Sequence, residues 1–179
     1  MEMVRTINFH KATSQSASED LVDEYGGSVY KFCRSLTYSK EDADDLFQET
    51  FLRVFEKPSK INVCENPQSF LFSTAIFIWK SWKRKFARRN RIAPAATLNE
   101  TTEGGDDLEA GIIMREEARI VRDLVEALPE NLRIPIIMCY TMEMSLANIA
   151  ATLCIPVGTV KSRLFKARKL IEKGLGEAL

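Results

Sequence analysis

Apolar side chains return every three or four positions through most of this chain, a spacing that places them on one face of an α-helix. Leu21, Val22, Tyr25, Val29, Phe32, Cys33 and Leu36 follow Ser18, a residue suited to an N-cap, and predict a first helix with a place to bend at Gly26-Gly27. Ser39 or Lys40 opens a second helix with the stripe Ala43, Phe47, Thr50, Phe51 and Val54, running to about Lys57 and ended by Pro58. Residues 58–66 read as a loop. Asn66-Pro67 starts a third helix whose apolar positions include Phe70, Leu71, Thr74, Ile78 and Trp82 before it enters a basic run. Three such helices can bury their stripes against one another as one small domain, residues 18–92.

Residues 1–17 are polar and lack periodicity, which predicts a mobile tail. Residues 93–111, with AATLNETTEGGDD at their heart, predict a flexible linker. Periodicity resumes at Ile112 and stops at Pro129. A further helix spans roughly Glu130 to Tyr140, where Pro135 should remove one backbone hydrogen bond and introduce a kink. Ser145–Leu153 and Pro156–Lys173 follow as two more helices, giving a second domain over residues 112–179. The expected fold is therefore all-α, two small helical domains on a flexible linker.

The last two helices are joined only by Cys154 and Ile155, so they must cross steeply as a helix-turn-helix. On the second of them Val157, Val160, Leu164, Ala167 and Ile171 share the face expected to be core. Gly158, Thr159, Ser162, Phe165, Lys166, Lys169 and Lys173 fall opposite, with Lys161 at the edge. Small residues and hydroxyls at the N-terminal end, followed by lysines, suit entry into a major groove with phosphate contacts alongside. A solvated basic helix in a bundle has the same pattern.

Formal net charge is zero, with 25 basic and 25 acidic residues, so the strongly basic balance common in nucleic-acid binders is missing. The charge is instead sorted by segment. From Lys80 to Arg91 there are Lys80, Lys83, Arg84, Lys85, Arg88, Arg89 and Arg91 and no acid, while Glu103, Asp106 and Asp107 lie in the linker without a base. The basic run is interleaved with Phe70, Phe72, Phe77, Trp79 and Trp82. Rings that stack on unpaired bases beside cations that follow the backbone would hold single-stranded nucleic acid, and Trp79 or Trp82 is the expected contact, although most of these rings must be core.

On the second helix, Asp45, Gln48, Glu49, Leu52 and Glu56 share the face opposite the core stripe. A leucine ringed by charge offers a protein-docking surface, although single surface leucines are also common. Acid pairs such as Asp44-Asp45 have no histidine or convergent ligand set beside them, so neither metal binding nor catalysis is expected. Cys33, Cys64, Cys139 and Cys154 are scattered without a C-x-x-C pair and read as small buried hydrophobes in a reducing compartment. The beginning of the sequence has no apolar run, which points to a cytoplasmic protein without membrane insertion.

Three stretches together resemble one family. DADDLFQETFLRVF is similar to the polymerase-binding segment of extracytoplasmic-function sigma factors. NPQSFLFSTA resembles the start of their promoter-melting helix, and LPENLRIPIIMCY with IPVGTVKSRLFKARKLI resembles their C-terminal DNA-reading domain. This resemblance spans about residues 20–175 and implies a non-catalytic initiation factor without cofactors. Its partners would be core RNA polymerase, through the β′ clamp and β flap, promoter DNA, and commonly an inhibitory anti-sigma factor. It further implies that Asp45, Gln48, Glu49 and Leu52 dock on the clamp, and that Lys161, Ser162, Arg163 and Lys166 enter the groove at the −35 element with Thr159 near a phosphate. The loop from Lys57 to Asn66 would capture an extruded −10 base, Lys83, Arg84 and Lys85 would form the basic end of the melting helix, and the linker would thread the polymerase. Where the family usually has Ala-Arg-Asn and then an Asp, this chain has Ala75-Ile76-Phe77 and then Ser81, which puts the reading of the −10 element in question. Pro135, and Asn148 where an acid is common, are smaller departures.

Two other readings fit parts of the pattern. A dimeric helix-turn-helix regulator that does not replace the specificity subunit explains the C-terminal pair, but not the acidic-aliphatic helix upstream of an aromatic-basic one. A helical adaptor that has lost promoter melting would accommodate Ile76, Phe77 and Ser81.

Overall fold

The computed structural model describes residues 14–37, 39–56, 66–92 and 112–178. The expected tail up to residue 13, the loop 57–65 with Cys64, and the linker 93–111 lie outside the described residues. Among the described residues, seven α-helices and one π-helical segment carry the fold: α1 (Ser14–Leu36), α2 (Lys40–Phe55), α3 (Pro67–Ile92), α4 (Ile112–Ala127), α5 (Glu130–Ile136), the π segment (Ile137–Thr141), α6 (Leu146–Leu153) and α7 (Val157–Ala178). No strand occurs among the described residues.

The starts of α2 and α3 follow the sequence signals. Ser39 Oγ accepts the backbone N–H of Asp42 at 2.9 Å, and Asn66 Oδ1 accepts that of Ser69 at 3.0 Å, each satisfying a donor the helix leaves unpaired. Helix α1 is different. It begins at Ser14, so Ser18 lies within it and is no cap, because residues 14–17 contain neither proline nor glycine to stop the helix sooner. Gly26-Gly27 does not interrupt it.

Helices α1, α2 and α3 pack around Val29, Phe32, Leu36, Leu46, Val54, Leu71, Phe72 and Ile78, all buried. Phe32 and Phe72 meet with ring centroids 4.5 Å apart. Each such side chain withdrawn from water contributes about 1.5–3 kcal/mol before chain entropy is counted. On α2 the buried set is Ala43, Leu46, Thr50, Phe51 and Val54, so Leu46 joins the expected stripe while Phe47 sits half-buried at its edge.

In the C-terminal half, Val160, Leu164 and Ala167 of α7 pack under α5 and α6 with Ile134, Met138 and Ile149. Val157 does not belong to that core as expected. It stands at the first position of α7 and is 40% exposed. Further along, α7 packs closely on α4, where a Cβ on Gly174 would meet the Leu124 side chain and oblige it to shift. Pro135, which has no N–H to give, lies inside α5, and regular α-geometry gives way to the π segment at Ile137. The ladder continues in widened form, with the N–H of Met142 reaching the carbonyl of Ile137 at 3.1 Å.

The two halves also pack on each other, which the expectation of two modules on a flexible tether did not include. Arg133 is only 2% exposed; its Nη2 donates to the carbonyls of Ser35 and Leu36 at the end of α1, each at 3.2 Å. The same guanidinium lies 5.8 Å from the Trp79 ring centre. Lys83 Nζ pairs with Glu130 at 2.9 Å and stands 4.7 Å from that same ring centre. The carbonyls at a helix C-terminus carry partial negative charge and lack intrahelical donors, so a cation there satisfies both needs.

Candidate nucleic-acid and protein interfaces

Ser145 Oγ accepts the N–H of Asn148 at 3.1 Å and starts α6. The helix stops at Cys154, which takes the left-handed conformation with φ 52° and ψ 46°. This turn lets the N–H of Ile155 reach back to the Ala150 carbonyl at 3.0 Å, satisfying an orphan acceptor. Pro156 follows, and its carbonyl receives the N–H groups of Thr159 and Val160 at 2.9 and 3.2 Å, which sets the start of α7. The helix pair thus crosses at the predicted joint. Cys154 itself is exposed rather than buried, because a left-handed turn places it outside both helices, and Cys139 is half-buried; of the described cysteines only Cys33 is a core thiol.

The expected groove-facing residues emerge on one side of α7. Lys161, Ser162, Phe165 and Lys166 are exposed, while Thr159 and Arg163 are half-exposed. Ser162 Oγ donates to the Thr159 carbonyl at 3.0 Å, which holds the hydroxyl close to the helix surface. Lys169 pairs with Glu172 at 3.1 Å and Lys173 with Glu177 at 3.6 Å, both well solvated, so the cationic character concentrates toward the N-terminal turns.

On α2, Asp45 and Gln48 are exposed, Leu52 is 64% exposed, and Glu56 is exposed at the helix's C-cap. Glu49 is half-buried because its Oε2 accepts the indole N–H of Trp82 at 2.9 Å. Beside this face, between α1 and α2, lies a shallow apolar groove lined by Val22, Gly26, Gly27, Tyr30 and Phe47, with Asp44 and Gln48 at its rim. Tyr30 Oη donates to Asp44 Oδ1 at 2.9 Å. The sequence reading missed the α1 side of this groove. Its signal was the adjacent glycine pair inside a helix, which leaves the flank of α2 uncovered.

The aromatic-basic helix divides its residues differently from the expectation. Trp79 is 3% exposed, packed under Arg133 and Lys83, and is not offered to a ligand in this arrangement. Its angular position on α3 faces the C-terminal half, so packing between the halves covers it. Trp82 is half-buried and tied to Glu49. Lys83, Arg84 and Lys85 are exposed, as are Lys80, Arg88 and Arg89. The exposed rings of α3 are Phe77 and Phe86. Among the described residues no group of three or more His, Cys, Asp or Glu could hold a metal ion, and no helix is long and apolar enough to cross a membrane.

Comparison with known proteins places both halves. Residues 21–90 match Sigma-70 region 2, and residues 118–171 match Sigma-70 region 4. The chain is 27% identical over 184 residues to the ECF RNA polymerase sigma factor SigW of Bacillus subtilis, covering 98% of each protein. It is 30% identical over 138 residues to the ECF RNA polymerase sigma-E factor of Salmonella typhimurium, covering 73% of this chain and 72% of that one. Among solved structures, the sigma factor RpoE from Bartonella quintana, crystallised with the anti-sigma factor NepR, has the same fold. The TM-score is 0.75 at 19% identity, over 90% of this chain and 98% of that one.

Proposed function

Since this chain belongs to the extracytoplasmic-function (ECF) sigma factors of RNA polymerase, we propose a division of its promoter-recognition task between two helical modules, residues 18–92 and 112–179. Asp45, Gln48, Glu49 and Leu52 dock on the β′ clamp of core polymerase, and the C-terminal module meets the β flap. Leu52 supplies apolar contact at the centre and the carboxylates a charged rim. The first turns of α7 enter the major groove of the −35 element, where Lys161, Arg163 and Lys166 reach bases and phosphates, Ser162 lies between them and Thr159 sits near a phosphate. Arg84 and Lys85, with Lys83 once it leaves Glu130, neutralise the backbone of the melted −10 strand. The chain makes and breaks no covalent bond in this scheme; synthesis belongs to the polymerase, and the work is done in the cytoplasm.

The observation that carries the reading is the outward presentation of two chemically opposite faces, Leu52 among acids on α2 and Lys161-Ser162-Lys166 beyond the turn at Cys154. An inhibitory partner is part of it. RpoE was crystallised with NepR, and an anti-sigma factor covering the α2 face would keep this chain from polymerase. A dimeric regulator would use the helix-turn-helix but has no use for the region matched at residues 21–90. Run-off transcription with core polymerase, this protein and the DNA upstream of transcripts it induces when overproduced tests the function. Start sites that depend on the protein are the expected result, and persistent absence of transcript rejects it.

A further inference from the structure

Helix α3 contains no acidic residue along its 26 positions, and its exposed cations are not spread evenly round it. Lys80, Arg84 and Arg88 stand three, seven and eleven positions after Phe77, so all four lie on one stripe at about 100° per residue. All four are exposed. Phe77 is 56% exposed, an unusual placement for a phenyl ring in a helix whose other face supplies much of the core. From α2, Arg53 sets its guanidinium 5.4 Å from the ring centre and fixes one side of it. Phe86, the other exposed ring, lies about half a turn away, on the side of Trp79 and of Lys83, which pairs with Glu130.

An exposed aromatic ring with one side held by arginine, at the head of a line of cations without a carboxylate, has the chemistry of a stacking platform for an unpaired base. We propose that Phe77 stacks on a base of the separated DNA strand, with Arg53 beneath the ring and Lys80, Arg84 and Arg88 following the phosphates. Charge complementarity selects the occupant. A protein surface apolar enough to cover Phe77 would have to bring acids to Lys80, Arg84 and Arg88, whereas a single strand brings a phosphate with every base. Ile76, next to Phe77, is buried, so the ring is the apolar group this stretch presents outward. The change at Phe77 then substitutes stacking for the polar contact expected at this point, and the helix retains a way of holding the open strand. This inference rests on the sigma-factor reading and assigns it a residue.

The test uses the full chain bound to core polymerase and a 12-nucleotide single-stranded DNA containing 2-aminopurine, whose fluorescence is quenched when the base stacks. Native protein should bind and quench. Phe77→Ala should weaken binding by about fivefold or more and lose the quench, and Phe77→Trp should retain both. Because the ring is exposed, both variants should keep the native circular dichroism spectrum. Phe77→Ala binding and quenching like the native protein would overturn the proposal. So would weaker association with core polymerase and unchanged oligonucleotide binding, which would make Phe77 part of the enzyme-docking face. Native holoenzyme that yields run-off transcripts yet fails to bind the oligonucleotide refutes the stacking role alone; failure of transcription refutes the broader reading.

Discussion

Arg133 Nη2 donates to the carbonyl of Leu36, the last residue of α1, across a separation of 97 positions in the chain. With the Ser35 carbonyl and the Trp79 ring, this hydrogen bond seats the C-terminal half against the first three helices. Truncation would leave the helix-end carbonyls without their donor, and hydrogen bonds to a charged group contribute about 1.5–3 kcal/mol each. Arg133→Ala should therefore loosen the closed arrangement. Small-angle scattering should report a larger radius of gyration, and tryptophan emission should shift to longer wavelength as Trp79 meets water. Unchanged scattering and emission would mean that other interactions hold the halves together.

The Trp82–Glu49 hydrogen bond ties the basic helix to the docking face of α2. Trp82→Phe removes the donor and keeps most of the ring, so denaturant unfolding should show a loss of about 1–2 kcal/mol. Glu49→Gln keeps an acceptor at the same place and should cost less. Equal losses for the two would assign the stability to packing instead.

Variants on the two faces should separate their roles. Lys166→Ala should weaken promoter-duplex binding and leave core association unchanged. It should also lower the salt dependence of duplex binding by roughly one ion, since one phosphate is no longer neutralised by a lysine. Leu52→Arg should do the reverse, weakening core association while duplex binding by the free chain is preserved. Both side chains are exposed, so neither change should unfold the protein. Loss of both activities in either variant would point to a shared structural defect.

Burial pushes the Cys33 thiol up to about 12, and burial together with the neighbouring Glu24 does the same for the Tyr25 hydroxyl. Both groups are protonated in the folded protein at pH values where the unfolded chain begins to lose those protons. Stability that is complete at neutral pH should therefore decline as pH rises from about 9 toward 12. Urea midpoints measured across this range check the direction. Midpoints that stay flat, with Cys33 reacting with a thiol reagent as fast as the exposed Cys154, would contradict its burial.

Much of this molecule is legible locally. Ser39, Asn66, Ser145, Pro129 and Pro156 mark helix ends because capping and proline geometry act over a few residues, and the structure places ends at or beside each of them. The exposed faces of α2 and α7 follow from periodicity for the same reason. Periodicity also misplaced some residues: Val157 shares an angle with the α7 core but is exposed at the start of the helix, and Leu46 is buried although it stands outside the α2 stripe read from the sequence.

The sequence by itself determined an all-helical chain, the crossing at Cys154, and the sorting of acids, cations and exposed apolar groups, since each depends on neighbours within a turn or two. Tertiary structure alone decided that Trp79 is covered while Phe77 is open, and that Arg133 is sunk between the halves. Those outcomes depend on which helix arrives from far along the chain to lie over a given face, and a ring's sequence neighbours are the same whether that helix comes or not.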